Sequence, residues 1–434
     1  MEPSTVEVGQ GNLRLTFSAD VGKMTHYTNS RSLVKEPVQL SYSFYTGNDG
    51  SDKDPQASGA YIFRPNRTFV IKPEGESPLT VMRGPLLDEV HQRINPWIYQ
   101  VTRLYKGKEH AEVEFAVGPI PIDDGIGKEV ATQITTTMAT NKTFYTDSNG
   151  RDFIKRIRDY RTDWDLKVNQ PVAGNYYPIN LGIYIQDDKT ELSVLVDRSV
   201  GGSSIADGQI ELMLHRRLLH DDSKGVAEAL NETVCLHDKC TGLTIQGKFY
   251  FRIDPLGEGA KWRRSAGQEI YSPFLLAFTE EDGDNWMSSH VPTFSGIDPS
   301  YSLPDNVALI TLQELDDGKV LLRLAHLYEI GEDKDLSVMS SVELKKLFPG
   351  KKISKVTEMS LSANQEREEM EQKRLVWKVE GSPEKEPELA RGRPVNPTNL
   401  VVELAPMEIR TFVIEIGSLP LRKSQMPEDG RYAA

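Results

Sequence analysis

Three pairs of adjacent aspartates supply the carboxylates that general acid and base catalysis uses: Asp123-Asp124, Asp187-Asp188 and Asp221-Asp222. Neighbouring residues of a strand point to opposite faces, so the two members of one pair cannot flank a single bond. Each pair is followed at once by Gly, Lys or Ser, which is typical of surface turns. The sequence therefore favours turns over a catalytic dyad at all three pairs.

The sequence contains no complete motif for a metal site or for a catalytic nucleophile. His220-Asp221-Asp222 and His110-Ala111-Glu112 each place two potential ligands close together, but a third ligand is missing from the local sequence. Gly201-Gly202-Ser203-Ser204 lacks the second glycine of a nucleophile elbow, and no Lys-Ser/Thr follows it as a phosphate loop requires. The residues alone predict a scaffold that contributes contacts more than a complete active site.

Period-two alternation indicates the strands that must position these residues. It is strongest over residues 111–117, and it recurs over residues 192–196, 210–214, 320–328 and 412–416. With 33 Gly and 25 Pro between the short strands, the sequence predicts an all-β protein of packed sheets. Residues 365–373 favour one helix, with a solvated loop as the alternative.

The chain divides at the Pro- and Gly-rich run after residue 253, which predicts a first β domain over residues 1–255. A second β region follows over residues 256–418. Within that region, residues 380–399 form a charged, Pro-rich excursion. After it, residues 419–434 form a flexible tail.

Charge and hydropathy exclude two classes of partner. Lys plus Arg number 51 against 64 Asp plus Glu, and the net charge of -13 is the wrong sign for a nucleic-acid surface. The longest apolar runs, such as residues 273–278, are far shorter than the ~20 residues of a membrane helix. We therefore expect neither nucleic acid nor a membrane as a partner.

Several features point to the secretory route. Asn66, Asn141 and Asn231 begin glycosylation sequons, and Cys235 and Cys240 are close enough for one small disulfide loop. Reduced thiols in a cytosolic protein are the alternative. Residues 1–20 contain no signal-peptide pattern, so we expect a piece of a longer precursor in which Met1 is internal. The net charge falls towards zero near pH ~5, which suits an acidic compartment.

Four segments carry a resemblance to a known family. They are residues 58–65 (SGAYIFRP), 144–156 (FYTDSNGRDFIKR), 175–178 (NYYP) and 201–225, which includes LHRRLLHDDSKG. They resemble the C-terminal half of class II α-mannosidases, glycoside hydrolase family 38, and most of all the acid α-mannosidases of lysosomes and plant vacuoles.

That resemblance implies a large galactose-mutarotase-like β-supersandwich followed by further β-sandwich elements. It also implies a retaining exo-α-mannosidase acting on terminal mannose of N-glycans in a vacuole or lysosome. The family's zinc ligands and both catalytic carboxylates lie on an N-terminal domain, so this chain would hold no zinc and no catalytic residue. A larger N-terminal subunit from the same precursor would be its partner, with higher oligomers of that heterodimer.

The resemblance also assigns roles to individual residues. Tyr61 matches a tyrosine that the family's β half lends to the sugar pocket, where a strand tyrosine that only packs is the alternative. Lys224 stands where the family has an arginine, so a planar, bidentate contact is lost there. Asp221, Asp222, Arg216 and Arg217 would support a loop near the pocket or form a solvated turn.

Two other functions remain open. A non-catalytic carbohydrate-binding or structural β-sandwich module would use exposed aromatic residues, for which Trp97, Tyr99, Tyr176 and Tyr177 are candidates. A sugar epimerase would need His91, His110 and His215, or a carboxylate pair, to face one cavity.

Overall fold

The structure of the chain is a computed structural model, which describes residues 4–72, 79–280, 286, 288–375, 377, 380–381 and 390–418. The chain divides into two compact units, Met1–Pro273 and Phe274–Ala434.

The described part of unit 1 is built from twenty strands, one α-helix and a short 3-10 turn. The strands are β1 (Thr5–Val8), β2 (Leu13–Ser18), β3 (Met24–Asn29), β4 (Val34–Gly47), β5 (Pro65–Val70), β6 (Thr80–Arg83), β7 (Leu87–Asn95), β8 (Ile98–Tyr105), β9 (Ala111–Val117), β10 (Lys128–Thr136), β11 (Thr143–Ser148), β12 (Asp152–Ile157), β13 (Tyr177–Ile179), β14 (Gly182–Gln186), β15 (Thr190–Val196), β16 (Val200–Ser203), β17 (Gln209–Arg217), β18 (Thr233–Leu236), β19 (Lys239–Gly242) and β20 (Ile245–Pro255). The helix is α1 (Gly259–Tyr271) and the 3-10 turn is Ala173–Asn175.

These strands form two large antiparallel sheets. The first sheet has the order β1-β2-β3-β4-β10-β17-β16-β13, and β5 also pairs with β4. The second has the order β12-β11-β14-β15-β20-β9-β8-β7-β6. The long strand β4 pairs with β3 at one end, with β5 at the other and with β10 along Val38 to Thr46. The predicted all-β class is confirmed.

One apolar core joins the two sheets, which makes unit 1 a β-sandwich. Leu15, Ile134 and Leu212 enter it from the first sheet, and Val113 and Phe251 enter it from the second. The predicted strand over residues 111–117 is β9, whose odd-numbered residues are buried as the alternation requires.

Helix α1 extends unit 1 beyond residue 255, where the sequence placed the boundary. Trp262 and Ala266 pack against Leu181 and Leu195. Arg263 lies on the same face, and its guanidinium donates to Glu191 at 3.0 Å. This buried face ties the helix to the second sheet, so the division between units falls after residue 273.

The described part of unit 2 contains two smaller sheets. Its strands are β21 (Val307–Leu315), β22 (Lys319–His326), β23 (Ser340–Glu343), β24 (Lys351–Met359), β25 (Val401–Leu404) and β26 (Ile409–Ser418), and its helices are α2 (Leu344–Leu347), α3 (Arg367–Lys373) and the 3-10 turn Asp316–Gly318. One sheet has the order β21-β22-β26-β24 and the other pairs β23 with β25. Apolar residues of both sheets, including Leu322, Val402 and Phe412, share one core.

The helix predicted over residues 365–373 is confirmed as α3, which buries none of its residues. In the predicted excursion, residues 382–389 lie outside the described residues, and residues 390–399 run in neither helix nor strand up to β25. The predicted tail over residues 419–434 also lies outside the described part. Within the residues described, no helix has the length and apolar character needed to span a bilayer.

A buried arginine links three segments of unit 2. The Arg410 side chain donates from Nε and Nη2 to the two carboxylate oxygens of Glu358, at 2.9 and 2.6 Å. Its Nη1 donates to the carbonyls of Arg393 and Glu403, both at 2.9 Å. The pKa of Glu358 lies below its usual range, because Arg410 and Arg367 together outweigh the effect of burial, which acts in the opposite direction.

Arg410→Met should lower the free energy of unfolding of unit 2 by about 3 kcal/mol, because it leaves the Glu358 carboxylate and two carbonyls without their main donor. Hydrogen exchange of the β22 and β26 amides, measured in urea, reports this energy for unit 2 alone. Arg393→Met removes an exposed ion pair with Glu403 and is the control, with a much smaller effect. Equal effects of the two substitutions would contradict the assignment.

Candidate functional site

Tyr61 lies in a tight turn between strands β4 and β5, here named the Tyr61 turn (residues 58–64). The N–H of Gly59 donates to the carbonyl of Ile62 at 2.9 Å and closes the turn. The Tyr61 side chain is 67% exposed. Tyr61 is therefore not a tyrosine that packs within a strand, and its ring stands out from the unit where another molecule can reach it.

The carboxylate of Asp222 holds the backbone of this turn. Its Oδ2 accepts the N–H groups of Tyr61 and Ile62 at 2.6 and 3.0 Å, and its Oδ1 accepts the N–H of Lys224 at 3.0 Å. Asp222 is 2% exposed. A Cβ on Gly59 would lie 2.6 Å from the Asp222 Cβ, so only glycine lets the two segments come this close.

The pKa of the Asp222 carboxyl is lowered. Burial alone would raise it, but the three N–H groups and the charge of Arg216 favour the ionised form more strongly. A lowered folded-state pKa means that these hydrogen bonds stabilise the fold at every pH above the unfolded value. Their contribution is lost only as the pH falls through the lower, folded-state value. The turn therefore stays anchored under mildly acidic conditions.

A buried ion pair supports the same turn from the sheet below. Strands β10 and β17 are paired so that Glu129 faces Arg216. Arg216 donates to Oε1 of Glu129 from Nε and Nη2, at 2.9 and 2.6 Å, and its Nη2 also donates to the carbonyl of Ile62 at 2.9 Å. The other oxygen of Glu129 accepts the hydroxyl of Ser58 at 3.4 Å. Burial raises the pKa of Glu129 against the opposing effect of Arg216.

A third buried carboxylate, Glu211, lies next to the turn, and the partners that the structure describes for it are neutral. Glu211 Oε1 accepts the hydroxyls of Tyr45, at 2.7 Å, and of Tyr176, and its Oε2 accepts the side-chain amide of Gln133 at 2.8 Å. Burial and the neighbouring carboxylate raise the pKa of both tyrosines, so the phenols remain donors. Phe63 of the turn packs edge-on against both tyrosine rings, at 5.5 and 4.8 Å between centroids.

The sequence missed most of this support. Glu129, Glu211 and Tyr45 are not among the predicted site residues, and the sequence offers Tyr176 only as a candidate for an exposed aromatic platform. One signal was available: Glu211 stands between Ile210 and Leu212 in an apolar strand, where a carboxylate needs buried donors.

Lys224 and Asp221 also lie beside the turn. The Lys224 side chain is exposed, while its backbone is fixed by Asp222. Asp221 accepts the N–H of Ser223 at 3.0 Å and makes no hydrogen bond to the Tyr61 turn. Asp222 and Lys224 thus share one small loop, but only Asp222 joins that loop to Tyr61.

Arg217 belongs to a different part of the unit. Its Nε donates to the side-chain oxygen of Asn231 at 2.7 Å, and its Nη1 donates to the carbonyl of Ile120 at 2.7 Å. Successive residues of β17 point to opposite faces, so Arg216 and Arg217 cannot both reach the turn.

The four aromatic candidates for a sugar platform do not lie together. Trp97 and Tyr99 line a groove of about 360 Å³ beside the β7–β8 turn. The hydroxyl of Tyr176 is used by Glu211. The ring of Tyr177 is covered by the guanidinium of Arg156, 4.1 Å from its centroid.

The three histidines of the epimerase hypothesis have separate environments. His91 contacts Glu89 at 3.1 Å, and His110 accepts the indole N–H of Trp262 at 3.1 Å. Burial lowers the pKa of His110 to about 4. His215 lies on β17 in the other sheet and contacts a main-chain carbonyl at 3.1 Å. These partners do not bring the three rings to one cavity.

Metal ligands are not clustered in the part of the chain that the structure describes. No three His, Cys, Asp or Glu side chains come together there as a metal site requires. The described side chains of this chain therefore do not form a ligand set for a zinc ion.

The two cysteines are bonded to each other. Cys235 and Cys240 form a disulfide across the β18–β19 hairpin, so the predicted bridge is confirmed and the alternative of reduced thiols is wrong.

The three sequons lie at the surface of unit 1 to different degrees. Asn66 and Asn141 are exposed, whereas Asn231 is half-buried beside Arg217.

Comparison with known families gives two matches. Residues 8–224 match the glycosyl hydrolases family 38 C-terminal domain, and residues 306–412 match the glycosyl hydrolases family 38 C-terminal beta sandwich domain.

Several curated proteins are similar over nearly all of this chain. A probable α-mannosidase of Arabidopsis thaliana is 68% identical over 98% of this chain and 42% of its own length. An α-mannosidase of Canavalia ensiformis is 58% identical over 95% of this chain and 42% of its own length. The lysosomal α-mannosidase of Homo sapiens is 39% identical over 93% of this chain and 39% of its own length. The chain thus spans about two fifths of the length of these relatives.

Among solved structures, an α-mannosidase from Enterococcus faecalis matches 95% of this chain and 42% of its own chain, with a TM-score of 0.61. At 13% identity, this likeness supports the fold alone.

Asp222→Asn should release the Tyr61 turn. The neutral amide keeps the size of the carboxylate but loses its charge, and its NH₂ group cannot accept the N–H groups of Tyr61 and Ile62 if it takes the position of Oδ2. Hydrogen exchange of these two amides at pH ~5 should become at least about tenfold faster. Asp221→Asn is the control, because Asp221 makes no bond to the turn. Unchanged protection in the Asp222 variant would show that Arg216 alone is sufficient.

Proposed function

Because this chain belongs to glycosyl hydrolase family 38, we propose that it is the C-terminal subunit of a retaining exo-α-mannosidase that removes terminal α-mannose from N-glycans. In this proposal the chain completes the sugar pocket, and the reacting carboxylates lie on a larger N-terminal subunit from the same precursor. The observation that carries it is the exposed Tyr61 ring on a turn whose backbone is fixed by a buried carboxylate.

Tyr61 is suited to bind a sugar hydroxyl. A phenol donates one hydrogen bond and accepts another, which matches a hydroxyl of mannose. Because Asp222 and Arg216 hold the main chain at Tyr61 and Ile62, only the tyrosine side-chain torsions remain to be ordered when sugar binds. The turn therefore positions Tyr61 before the substrate arrives.

Lys224 is proposed as a second contact. Its ammonium group is a compact cation with three donors on a flexible stem, and it can donate to sugar oxygens without the planar geometry of an arginine. The Asp222 carboxylate holds the backbone of Lys224 and of Tyr61 at the same time. Asp222 and Arg216 would then act as support for the turn, and Asp221 would support its own loop through the N–H of Ser223. Arg217 would support the loops at Ile120 and Asn231 instead.

The reaction itself is assigned to the companion subunit. A retaining glycosidase needs two carboxyl groups about 5 Å apart on either side of the bond, one as nucleophile and one as acid and base. The carboxylates beside Tyr61 are already engaged: Asp222 by three N–H groups and Glu129 by Arg216. We propose that zinc, like the nucleophile, is bound by the companion, since the described side chains of this chain form no ligand set for it.

An acidic compartment, vacuole or lysosome, is the proposed location. The disulfide supports passage through the secretory route, where thiols are oxidised. The lowered pKa of Asp222 keeps the Tyr61 turn anchored at mildly acidic pH. We further propose that the heterodimer assembles into higher oligomers and that exposed Asn66 and Asn141, with Asn231, are the acceptors for its own glycans.

A second candidate is a carbohydrate-binding module without catalysis, which the groove beside Trp97 and Tyr99 favours. The two functions differ in what the chain does with a companion. A binding module would hold mannosides by itself and would add nothing to turnover.

Hydrolysis of a chromogenic α-mannoside tests the subunit role. The chain alone should be inactive, and the chain purified together with its N-terminal companion should be active. Native mass spectrometry of the active material should report both polypeptides and zinc. Turnover by the isolated chain would exclude the proposed division of labour.

Tyr61→Phe should leave the fold intact and lower kcat/KM of the two-subunit enzyme by an amount equal to about 1 to 3 kcal/mol, because a sugar hydroxyl loses its partner. The melting temperature should not change, since the ring is exposed. Tyr105→Phe removes the hydroxyl of another exposed tyrosine, on β8 of the second sheet, and should leave kcat/KM unchanged. Equal kinetics of the Tyr61 variant and the parent would remove Tyr61 from the site.

A further inference from the structure

A run of apolar side chains directly after helix α1 has no cover in the described structure. Phe274, Leu275 and Phe278 are 99%, 95% and 92% exposed, and Leu276 is also largely exposed. Residues 273–280 lie in neither helix nor strand. Val291 and Phe294, a little further along the chain, are exposed in the same way. These six side chains are named here the apolar segment.

The composition of the segment is unlike that of a linker. Linkers that stay in water are rich in Gly, Ser, Pro or charged residues, because these lose nothing by remaining solvated. Here Pro-Phe-Leu-Leu-Ala-Phe fills residues 273–278. Each exposed Phe or Leu would gain free energy from full burial, so water is the least favourable surrounding for this run.

The area offered is comparable with one side of a stable interface. Six large apolar side chains present on the order of 800 Å² of surface, and a standard protein interface buries about 800 Å² on each partner. Isolated exposed hydrophobic residues are common at protein surfaces, but four large ones within five consecutive positions, 274–278, are unlike such a scatter and are typical of an interaction site.

We propose that the apolar segment docks into a groove on the N-terminal companion subunit. The inference rests on the proposed function, and it names the contact that holds the companion. About three fifths of each curated relative lies outside the region that this chain matches, so a large folded body is available to cover the segment. Glu280 follows the run almost directly, which fits an apolar groove with a basic residue at its rim.

The segment is thus a docking element at a distance in sequence from the Tyr61 turn. It contributes binding energy between subunits, and the Tyr61 turn contributes contacts to the sugar. Weakening the segment should therefore change the affinity of the two subunits and leave the turnover of the saturated complex unaltered.

The test uses the whole chain and its tagged N-terminal region, the companion from the same precursor, produced together as the two-subunit enzyme. The variant carries Phe274→Ser, Leu275→Ser and Phe278→Ser together. The matched control carries Leu33→Ser, Leu86→Ser and Leu236→Ser, three exposed leucines of unit 1. Affinity for the tagged region is measured for all three proteins, together with kcat at saturating companion. Thermal melting of each isolated chain verifies that the fold is retained.

The segment variant should bind the N-terminal region at least about tenfold more weakly, and the control should bind like the parent. Equal affinity of variant and parent would overturn the inference and leave the subunit role intact. Failure of the parent itself to bind would overturn the subunit role, and the inference with it. If the substitutions abolish self-association of the chain without changing companion binding, the occupant is a second copy and the inference is wrong.

Discussion

The carboxylate of Asp222 is the interaction on which the site depends. Its two oxygens accept three main-chain N–H groups, two of them from a turn about 160 positions earlier in the sequence. No side-chain flexibility stands between the carboxylate and the backbone it holds. A buried charge is costly unless donors surround it, and here the donors are the amides whose position matters. Position 59 must be glycine for this contact to form, because any Cβ there would push the Tyr61 turn away from the segment that carries Asp222.

Two other buried carboxylates near the turn are satisfied in different ways. Glu129 accepts hydrogen bonds from the guanidinium of Arg216, which also donates to the carbonyl of Ile62. Because Glu129 and Arg216 are paired across β10 and β17, the pairing of these two strands fixes the position of Ile62. Glu211 meets two phenols and an amide, which neutralise no charge but supply enough hydrogen bonds to keep it in the interior. Both arrangements place polar bonds under a turn that would otherwise rest on apolar contacts alone. The result is a rigid support below a single exposed ring.

If the chain has the proposed subunit role, two kinds of exposed side chain would find their partners outside it: an aromatic ring of unit 1 and a run of apolar side chains at the beginning of unit 2. Tyr61 extends into solvent from a turn with little freedom to fold back. Phe274 and Leu275 expose their full side chains in a run without regular structure. A hydroxyl of the sugar substrate would complete the first, and an apolar groove of the companion subunit would complete the second.

Local sequence patterns are sufficient to predict some of the strands and helices. Alternation identifies β9, because burial of one face of a strand leaves its period in consecutive residues. Helix α3 buries none of its residues, and its Glu- and Arg-rich composition indicates it instead. The cysteines five positions apart could bridge within one hairpin, and they do. The sequence does not predict helix α1, because its buried face includes Arg263 and Arg264, and these charged residues obscure the amphipathic pattern.

For the site, the resemblance indicates Tyr61 and names Asp222 as loop support, but no pattern in the sequence shows that Asp222 binds the Tyr61 turn or that Glu129 and Glu211 lie beside it. Those contacts join residues 71 to 166 positions apart. They exist only because β4, β10 and β17 lie side by side in one sheet, and strand order is a property of the folded sheet that no local pattern encodes. The sequence by itself determined which strands form and which tyrosine to examine, and only the tertiary structure decided what holds that tyrosine in place.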